Sequence, residues 1–340
     1  MSSATSIQKG ARRGGISMGV IILIVVVVLA AVGAAAVYVL LPRPEIVRVD
    51  GSSTVFPITS AWAAEFNNPS RQVVVAFSGT GGGFAKFCRG ETDLSDASRP
   101  IKRADSDPAT TTEEELCTQN GITGIVEFLV AYDGLSVVVN PQNTWVQNLT
   151  VGQLCRIWTS NTSAGACHNA GGRVTRWSEL NGSWPQETIQ LYGPGTDSGT
   201  FDYFVEVILG NRKSEHTDQY FASEDDNVLV QGVASNRNAL GYFGYAYAIE
   251  NTDSLRILPI DNEDGDGAVL PSHDTIRQPG AYEPLSRPLF IYGSAGSLAR
   301  QTVQDFLEFG YTARGTELVD QTGYVSLTEA ERATERAKIP

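Results

Sequence analysis

The chain has 340 residues, of which 42% are hydrophobic and 19% charged, and its formal net charge is −13. This composition is typical of a globular protein rather than a disordered one, and the length suffices for two domains and a terminal extension. The strong negative charge argues against nucleic acid or an anionic membrane surface as a partner. It does not exclude a small anion, because a buried site works through local dipoles and hydrogen bonds.

The N-terminal part of the chain has the pattern of a membrane anchor. Residues 1–17 are largely polar, with three basic residues and no acidic one, and residues 18–41 form an unbroken apolar run. That run is about long enough to cross a ~30 Å bilayer and longer than the apolar core of a signal peptide. Because positive charge precedes it, we expect 1–17 in the cytoplasm, a single transmembrane helix over 18–41 and the remainder outside. Cleavage near Gly33 is the alternative.

After the anchor, the chain alternates short apolar runs, polar loops and amphipathic segments. Residues 46–50 and 73–77 are strand-like, and each is followed by a loop rich in glycine, serine and threonine and then by a predicted helix. Strand, loop and helix in this order predict an α/β fold with an open parallel sheet. In such sheets, ligands bind at the carboxyl ends of the strands, where these loops lie.

The middle of the chain contains segments that predict crossings between two lobes. Residues 125–130 and 135–139 are strand-like, and we expect a break between them at 132–134, Tyr-Asp-Gly. The aromatic and apolar stretch 239–248 predicts a buried strand followed by a turn. Residues 288–293 predict another buried strand, which returns the chain to the first lobe.

One loop has the features of an anion-binding site. Residues 195–200, Gly-Thr-Asp-Ser-Gly-Thr, lead directly into a predicted helix, whose first-turn amide hydrogens and dipole favour an anion. Alone, this loop is equally explained as an ordinary N-cap with turn glycines. However, 51–55 and 78–83 have the same character, and 95–100 adds Arg99 beside further hydroxyls. Several converging donor loops suit a tetrahedral oxyanion.

The sequence lacks the motifs of the common catalytic sites. The histidines His168, His216 and His273 lie in polar surroundings without a nucleophile motif beside them. The nucleophile elbow Gly-x-Ser-x-Gly, the dinucleotide fingerprint and the Walker signature are all missing. The acidic run 261–267 does not match the spacing of a calcium-binding loop. We therefore expect no enzymatic activity, no cofactor and no metal ion.

Four cysteines follow the apolar run. An even number in an exported chain favours disulfides, and three pairings are possible. We expect the pairing that is local in sequence, Cys88–Cys117 and Cys155–Cys167. Zinc binding is the alternative, but no Cys-x-x-Cys pair is present and His168 is the only neighbouring ligand.

Six motifs together resemble the phosphate-binding subunit of the high-affinity phosphate ABC transporter, the PstS-type family. In chain order they are DGSSTVFPI, FSGTGGGFAKFC, ETDLSDASRPI, GTDSGTFDYF, LGYFGYAYA and SRPLFIYG. The resemblance covers about residues 46–327. It implies a type II periplasmic-binding-protein fold, with 46–131 and 285–340 in lobe 1, 132–284 in lobe 2 and phosphate in the cleft. Such lobes close by a hinge motion.

The resemblance implies a phosphate site built from hydroxyls, backbone amides and one guanidinium. Carried over by position, its residues are Ser53, Thr54, Ser78, Gly79, Thr80, Arg99, Asp197, Ser198, Gly199 and Thr200. Two positions depart from the best-known members: Pro194 stands where they have an arginine, and Arg99 where they have an aspartate. We infer that Arg99 supplies the positive charge, the alternative being a salt bridge to Asp96 without ligand contact.

The resemblance also implies a function. The predicted protein binds inorganic phosphate on the extracytoplasmic side of the cell membrane and delivers it to the permease subunits of an ABC importer. Asp96 or Asp197 is expected to accept the proton of phosphate, which fully ionised sulfate does not carry. The alternatives are a binder of another oxyanion, such as sulfate or molybdate, and a phosphatase or sensor on the same scaffold.

Overall fold

The structure is a computed structural model that describes Met18, Gly19, Leu23 and residues 26–29, 44–103, 112–167, 171–196 and 198–340. Residues 45–340 form one compact unit, and the chain before Glu45 belongs to another. Within the described ranges, no helix is long and apolar enough to cross a membrane. Most of the predicted anchor, 18–41, and all of the predicted cytoplasmic segment, 1–17, lie outside those ranges.

Short strands and helices alternate along the compact unit. The strands are β1 (Glu45–Gly51), β2 (Arg71–Val75), β3 (Leu94–Ala97), β4 (Val126–Val139), β5 (Leu149–Thr150), β6 (Gln190–Pro194), β7 (Phe221–Ser223), β8 (Ala239–Gly244), β9 (Arg256–Ile257), β10 (Ile260–Asp261) and β11 (Ser286–Gly293). The helices are α1 (Phe56–Phe66), α2 (Thr80–Cys88), α3 (Glu113–Gln119), α4 (Val151–Trp158), α5 (Gly199–Leu209), α6 (Asp226–Ser235), α7 (Tyr245–Glu250), α8 (His273–Arg277), α9 (Ala295–Leu298), α10 (Gln301–Gly310), α11 (Ala313–Gln321) and α12 (Glu329–Arg336).

The main sheet is mixed, with parallel strands on both sides of two crossing strands. Its order is β2-β1-β3-β11-β4-β8-β6-β7, and β9 also pairs with β4. β1 runs parallel to β2 and β3, and β6 runs parallel to β7 and β8. β11 and β4 are antiparallel to each other, β11 also to β3, and β4 also to β8. The predicted parallel βα units are therefore present, but antiparallel strands join them.

β4 belongs to both halves of this sheet. Residues 126–134 pair with β11, whereas 135–139 pair with β8. One large hydrophobic cluster gathers β1, α1, β11 and α10 around the first part of β4, and another gathers α4, α5 and β8 around the second part. This arrangement favours the two lobes expected from the sequence, whose boundaries at 131/132 and 284/285 stay a prediction.

The break predicted at 132–134 is wrong, because β4 is continuous there. Asp133 lies opposite Arg287 of β11, and its carboxylate accepts hydrogen bonds from that guanidinium. A methyl group on Gly134 would lie 2.5 Å from the side chain of Ile276, so the glycine permits close packing of α8. These residues serve cross-strand pairing and packing rather than a turn.

The stretch 239–248 follows its prediction only in part. Residues 239–244 form the buried strand β8 as expected, but the chain then continues into helix α7 instead of a turn. Tyr245 and Ala248 are both buried on this helix. Their spacing of three residues places them on one helical face, which suits burial against the neighbouring core.

Both predicted disulfides are confirmed. Cys88 at the end of α2 is bonded to Cys117 in α3, and Cys155 in α4 is bonded to Cys167. All four residues are buried. The first bridge fastens α2, which follows one of the predicted donor loops, to α3.

Candidate functional site

A cavity of about 310 Å³ lies where the loops after β1, β2 and β3 meet α5 and the start of β11. Its lining is polar and carries charges of both signs. The residues are Ser52, Ser53, Thr54, Gly79, Thr80, Ser98, Arg99, Asp202, Tyr203, Glu206, Asn211, Lys213 and Arg287. Each of its three cations is ion-paired, Arg99 with Glu113, Lys213 with Asp202 and Arg287 with Asp133, so the attraction for an anion comes from the hydroxyl and guanidinium hydrogens that face the cavity. The cavity therefore suits a small anion.

The first donors come from the ends of β1 and β2. Ser53 and Thr54 line the cavity just before α1, and neither α1 nor α2 has a side-chain hydrogen bond capping its first turn. Gly79, the N-cap of α2, has a φ of 79°, a backbone conformation that favours glycine. The first-turn amides of α2 thus remain available as donors to a ligand, whereas those of α1 already donate to the carbonyls of Ser52 and Val55.

The Ser-Gly-Thr loop of α5 lies against the first donor loop. A methyl group on Gly199 would approach Thr54 Oγ1 to 3.0 Å, so a side chain there would require Thr54 to shift by a few tenths of an ångström. The hydroxyl of Ser198 accepts a hydrogen bond from the amide of Thr200 and caps α5. Asp197, also expected in the site, lies outside the described residues.

Ser78 is held next to the cavity rather than in its lining. Its hydroxyl donates to Asp50 Oδ1 at 2.5 Å, and Lys86 donates to the other oxygen of Asp50 at 2.6 Å. Asp50 is 5% exposed, so this network anchors the second donor loop to the end of β1. Thr80 lies inside the lining, with its hydroxyl 3.1 Å from that of Ser98.

Arg99 lines the cavity, but most of its guanidinium is already occupied. Nη2 and Nη1 donate to the two carboxylate oxygens of Glu113 at 2.7 and 2.9 Å, and Nη1 also donates to the carbonyl of Pro100. This paired hydrogen bonding with Glu113 raises the pKa of Arg99. The alternative pairing of Arg99 with Asp96 is wrong, since Glu113 takes that place.

Asp96 is fully buried behind the donor loops and does not line the cavity. Its carboxyl accepts a hydrogen bond from Thr59 at 2.7 Å. Burial raises the pKa of Asp96 to about 8, and the neighbouring charge of Asp50 adds to the rise. Asp96 is therefore largely protonated at neutral pH, which disfavours its expected role as an acceptor for phosphate.

Arg287 is a cavity residue that the sequence did not single out. Its side chain is 11% exposed and donates through Nη2 to Thr54 Oγ1 at 2.9 Å. It also forms an ion pair with Asp133, the residue opposite it on β4. Burial raises the pKa of Asp133, and the charge of Arg287 opposes that rise. The sequence signal that could have identified Arg287 is its position as an arginine inside an otherwise apolar strand, Ser-Arg-Pro-Leu-Phe-Ile-Tyr-Gly.

Comparison with known proteins supports one family. The sequence profile of the PBP superfamily domain matches residues 34–314. The protein SphX of Synechocystis sp. is 42% identical over 286 residues, which are 83% of this chain and 79% of SphX. The phosphate-binding protein PstS of Staphylococcus saprophyticus is 35% identical over 298 residues, or 86% of this chain and 84% of PstS. This chain belongs to the PstS-type family of the PBP superfamily.

A solved structure supports the fold of this PstS-type chain. The crystal structure of a possible phosphate-binding protein from Planctomyces limnophilus is 42% identical, with a TM-score of 0.76. The match covers 87% of this chain and 98% of that protein. The resemblance inferred from the six motifs and the mixed α/β fold are thereby confirmed.

Of the ten positions carried over from the PstS-type family, the cavity brings five together. They are Ser53, Thr54, Gly79, Thr80 and Arg99. Gly199 contacts Thr54 at its edge, and Ser78 is bonded to Asp50 behind it. The sequence missed Ser98, whose hydroxyl adjoins Thr80, and the charged residues that α5 and β11 contribute.

Proposed function

We propose that this PstS-type protein captures inorganic phosphate outside the cytoplasmic membrane and delivers it to the permease subunits of an ABC importer. The observation that carries the proposal is the cavity itself, in which hydroxyls, the N-terminus of α2 and two guanidinium groups converge. Relatives named phosphate-binding protein PstS, at 33–35% identity over most of the chain, support phosphate as the anion. The protein acts by binding and release and catalyses no reaction.

The hydrogen-bond donors of the site come from loops around both main cores. Ser53, Thr54, Gly79 and Thr80 belong to loops around the first core, and the Ser-Gly-Thr loop begins α5 in the second core. A tetrahedral anion has oxygens that point towards both. Bound phosphate therefore stabilises the arrangement in which the two cores approach each other, because only that arrangement satisfies all its oxygens.

The binding unit is tethered to the membrane by a single helix over 18–41, with 1–17 in the cytoplasm. The length of the apolar run and the basic residues before it support this topology. The two disulfides of the compact unit support an oxidising, extracytoplasmic location. When membranes from expressing cells are washed with alkaline carbonate, the full chain should stay in the membrane pellet. Protease added on the extracytoplasmic side should digest the chain. Release by carbonate would contradict the anchor.

Calorimetry of the full chain in detergent tests the ligand. We expect phosphate to bind and sulfate at the same concentration to bind about 100-fold more weakly, because phosphate can donate a proton to a carboxylate of the site, whereas fully ionised sulfate carries no proton and is repelled. Titration at two pH values adds a check, since only an anion that carries a proton gains from an acceptor in the site. Equal affinity for sulfate would show that the site binds oxyanions in general rather than phosphate. If neither anion binds, the proposed function is rejected.

A further inference from the structure

We propose that Arg287 on β11, rather than Arg99, provides the principal charged contact to the bound oxyanion. The inference rests on the proposed function and assigns the cation of the same site. Arg287 lines the cavity together with the first two donor loops. Its Nη2 lies 2.9 Å from Thr54 Oγ1, a hydroxyl within that lining, so the guanidinium reaches the donors expected to surround the anion.

The guanidinium of Arg287 is held in a fixed plane. Its Cζ lies 3.6 Å from the centre of the Tyr203 ring, and the Tyr203 hydroxyl is fixed by donation to the carbonyl of Pro284 at 2.8 Å. Nε and Nη2 both lie 3.3 Å from Asp133 Oδ2. Stacking on one face and pairing along one edge restrict rotation, so little conformational entropy is lost when a ligand binds.

The other edge of the guanidinium is accessible to a ligand. Among the described residues, Nη1 contacts Glu206 Oε2, at the long distance of 3.5 Å. The Glu206 side chain is 44% exposed and can turn into solvent when an anion approaches. An oxyanion that takes its place gains hydrogen bonds to a cation whose side chain is 11% exposed, where charged hydrogen bonds are strong.

Arg99 is less suited to this role. Glu113 binds both its Nη groups at 2.7 and 2.9 Å, and the Arg99 side chain is 30% exposed, almost three times the exposure of Arg287. An anion at Arg99 would compete with a carboxylate already paired at two points. At Arg287 it competes only with the long contact to Glu206.

Arg287 also contacts both halves of the structure. Thr54 belongs to the loop before α1, whereas Tyr203 and Glu206 lie on α5, the helix that begins with the Ser-Gly-Thr loop. β11 pairs with the first part of β4, the strand that belongs to both halves of the sheet. An anion bound to Arg287 is therefore held at the junction of the two cores.

Calorimetric titration of inorganic phosphate into the full chain in detergent tests the assignment. We expect Arg287→Gln to weaken binding roughly 10- to 100-fold, as for the loss of one charged hydrogen-bonding group. Arg287→Lys keeps the charge but loses the planar fork, and we expect about a tenfold loss. Arg99→Lys should weaken binding less than Arg287→Lys does. The matched control is Arg300→Lys, which alters an arginine that is ion-paired with Glu45 and Asp93. It should bind phosphate with the same Kd as the unmodified chain.

Thermal unfolding without phosphate separates a binding defect from a folding defect. If Arg287→Gln does not fold, Arg287→Lys decides, since it retains the charge beside Asp133. An Arg287→Lys protein that is less stable but binds phosphate with an unchanged Kd would overturn the assignment, and so would a larger loss at Arg99. If the unmodified chain itself does not bind phosphate, the proposed function fails, whereas normal binding by the Arg287 variants rejects only this inference.

Discussion

At the scale of single residues, two buried carboxyl groups behind the donor loops have different partners. Asp50 accepts hydrogen bonds from Ser78 and Lys86, which join it to the loop before α2 and to α2 itself. Asp96 accepts from Thr59 alone among the described side chains, and burial raises its pKa to about 8. Asp96 thus remains protonated over a pH range in which most aspartates have lost their proton.

The raised pKa of Asp96 predicts a pH dependence of stability. In the unfolded chain its carboxyl loses the proton near the ordinary pKa of about 4, whereas the folded protein keeps it up to about pH 8. The folded state therefore binds more protons in this window, and the free energy of unfolding falls as pH rises, by up to about 1.4 kcal/mol per pH unit. We expect Asp96→Asn to remove this slope in chemical denaturation at pH 4 to 8.

A second variant checks the origin of that slope. The hydrogen bond from Thr59 lowers the pKa of Asp96 and so opposes the effect of burial. Thr59→Val should therefore raise the pKa of Asp96 further and extend the falling limb to higher pH. The same slope in Asp96→Asn as in the unmodified protein would assign the pH dependence to other groups.

At the scale of elements, the glycines at the start of α2 have separate roles. A methyl group on Gly83 would lie 2.4 Å from the Cα of Gly51 and 2.9 Å from the carbonyl of Asp50, both backbone atoms. Gly83 thus lets α2 pack directly on the end of β1. A methyl group on Gly81 would approach Arg99 only to 3.8 Å, an ordinary contact.

This difference gives a matched pair of substitutions on one helix. Gly83→Ala should lower the free energy of unfolding by about 1–3 kcal/mol, because the backbone must move to relieve the overlap. Gly81→Ala should be neutral or stabilise by up to about 1 kcal/mol, since alanine has the higher helix propensity. Urea denaturation measures both. Equal effects of the two substitutions would show that α2 does not depend on the close approach of Gly83.

The disulfides allow a prediction about the chain segments that they close. Cys88–Cys117 spans 29 residues and Cys155–Cys167 spans 12. Replacing both cysteines of a pair by alanine should destabilise the protein by about 2–4 kcal/mol, and by roughly 0.6–1 kcal/mol more for the longer loop. Denaturant titrations of the two double variants measure this difference. A larger loss for the 12-residue loop would mean that native packing outweighs chain entropy.

At the scale of the whole molecule, β4 connects the two main cores. β4 pairs with β11 in its first part and with β8 in its second part. A displacement of β4 in one core therefore affects the other core. Arg287 and Asp133 lie on these two strands beside the cavity. A ligand bound there is expected to stabilise both cores together.

Scanning calorimetry of the full chain tests this coupling. Phosphate at about 100 times its Kd should stabilise the folded state by about 2.7 kcal/mol and raise the Tm by roughly 4–5 °C. The entire transition should shift, and sulfate at the same concentration, as a control, should leave it in place. A transition that splits, with only one part moved by phosphate, would show that the cores respond separately.

The sequence by itself determined the features that depend on neighbouring residues and on the set of six motifs. The strand, donor loop and helix order, the family and the disulfide pairs were all predicted correctly. Turn chemistry and helix starts act over a few residues, so loops such as those at Gly79 and Ser198 are visible in a linear chain. Their convergence at the strand ends follows from the parallel βα units.

Only the tertiary structure decided the charges of the site and the path of β4. Arg287 and Asp133 are 154 residues apart, and their pairing depends on the register of two antiparallel strands. Arg99 forms its ion pair with Glu113 rather than with Asp96, because Asp96 is buried beneath the loops and hydrogen-bonded to Thr59. Such contacts depend on which distant segments pack together, and local residue patterns do not contain that information.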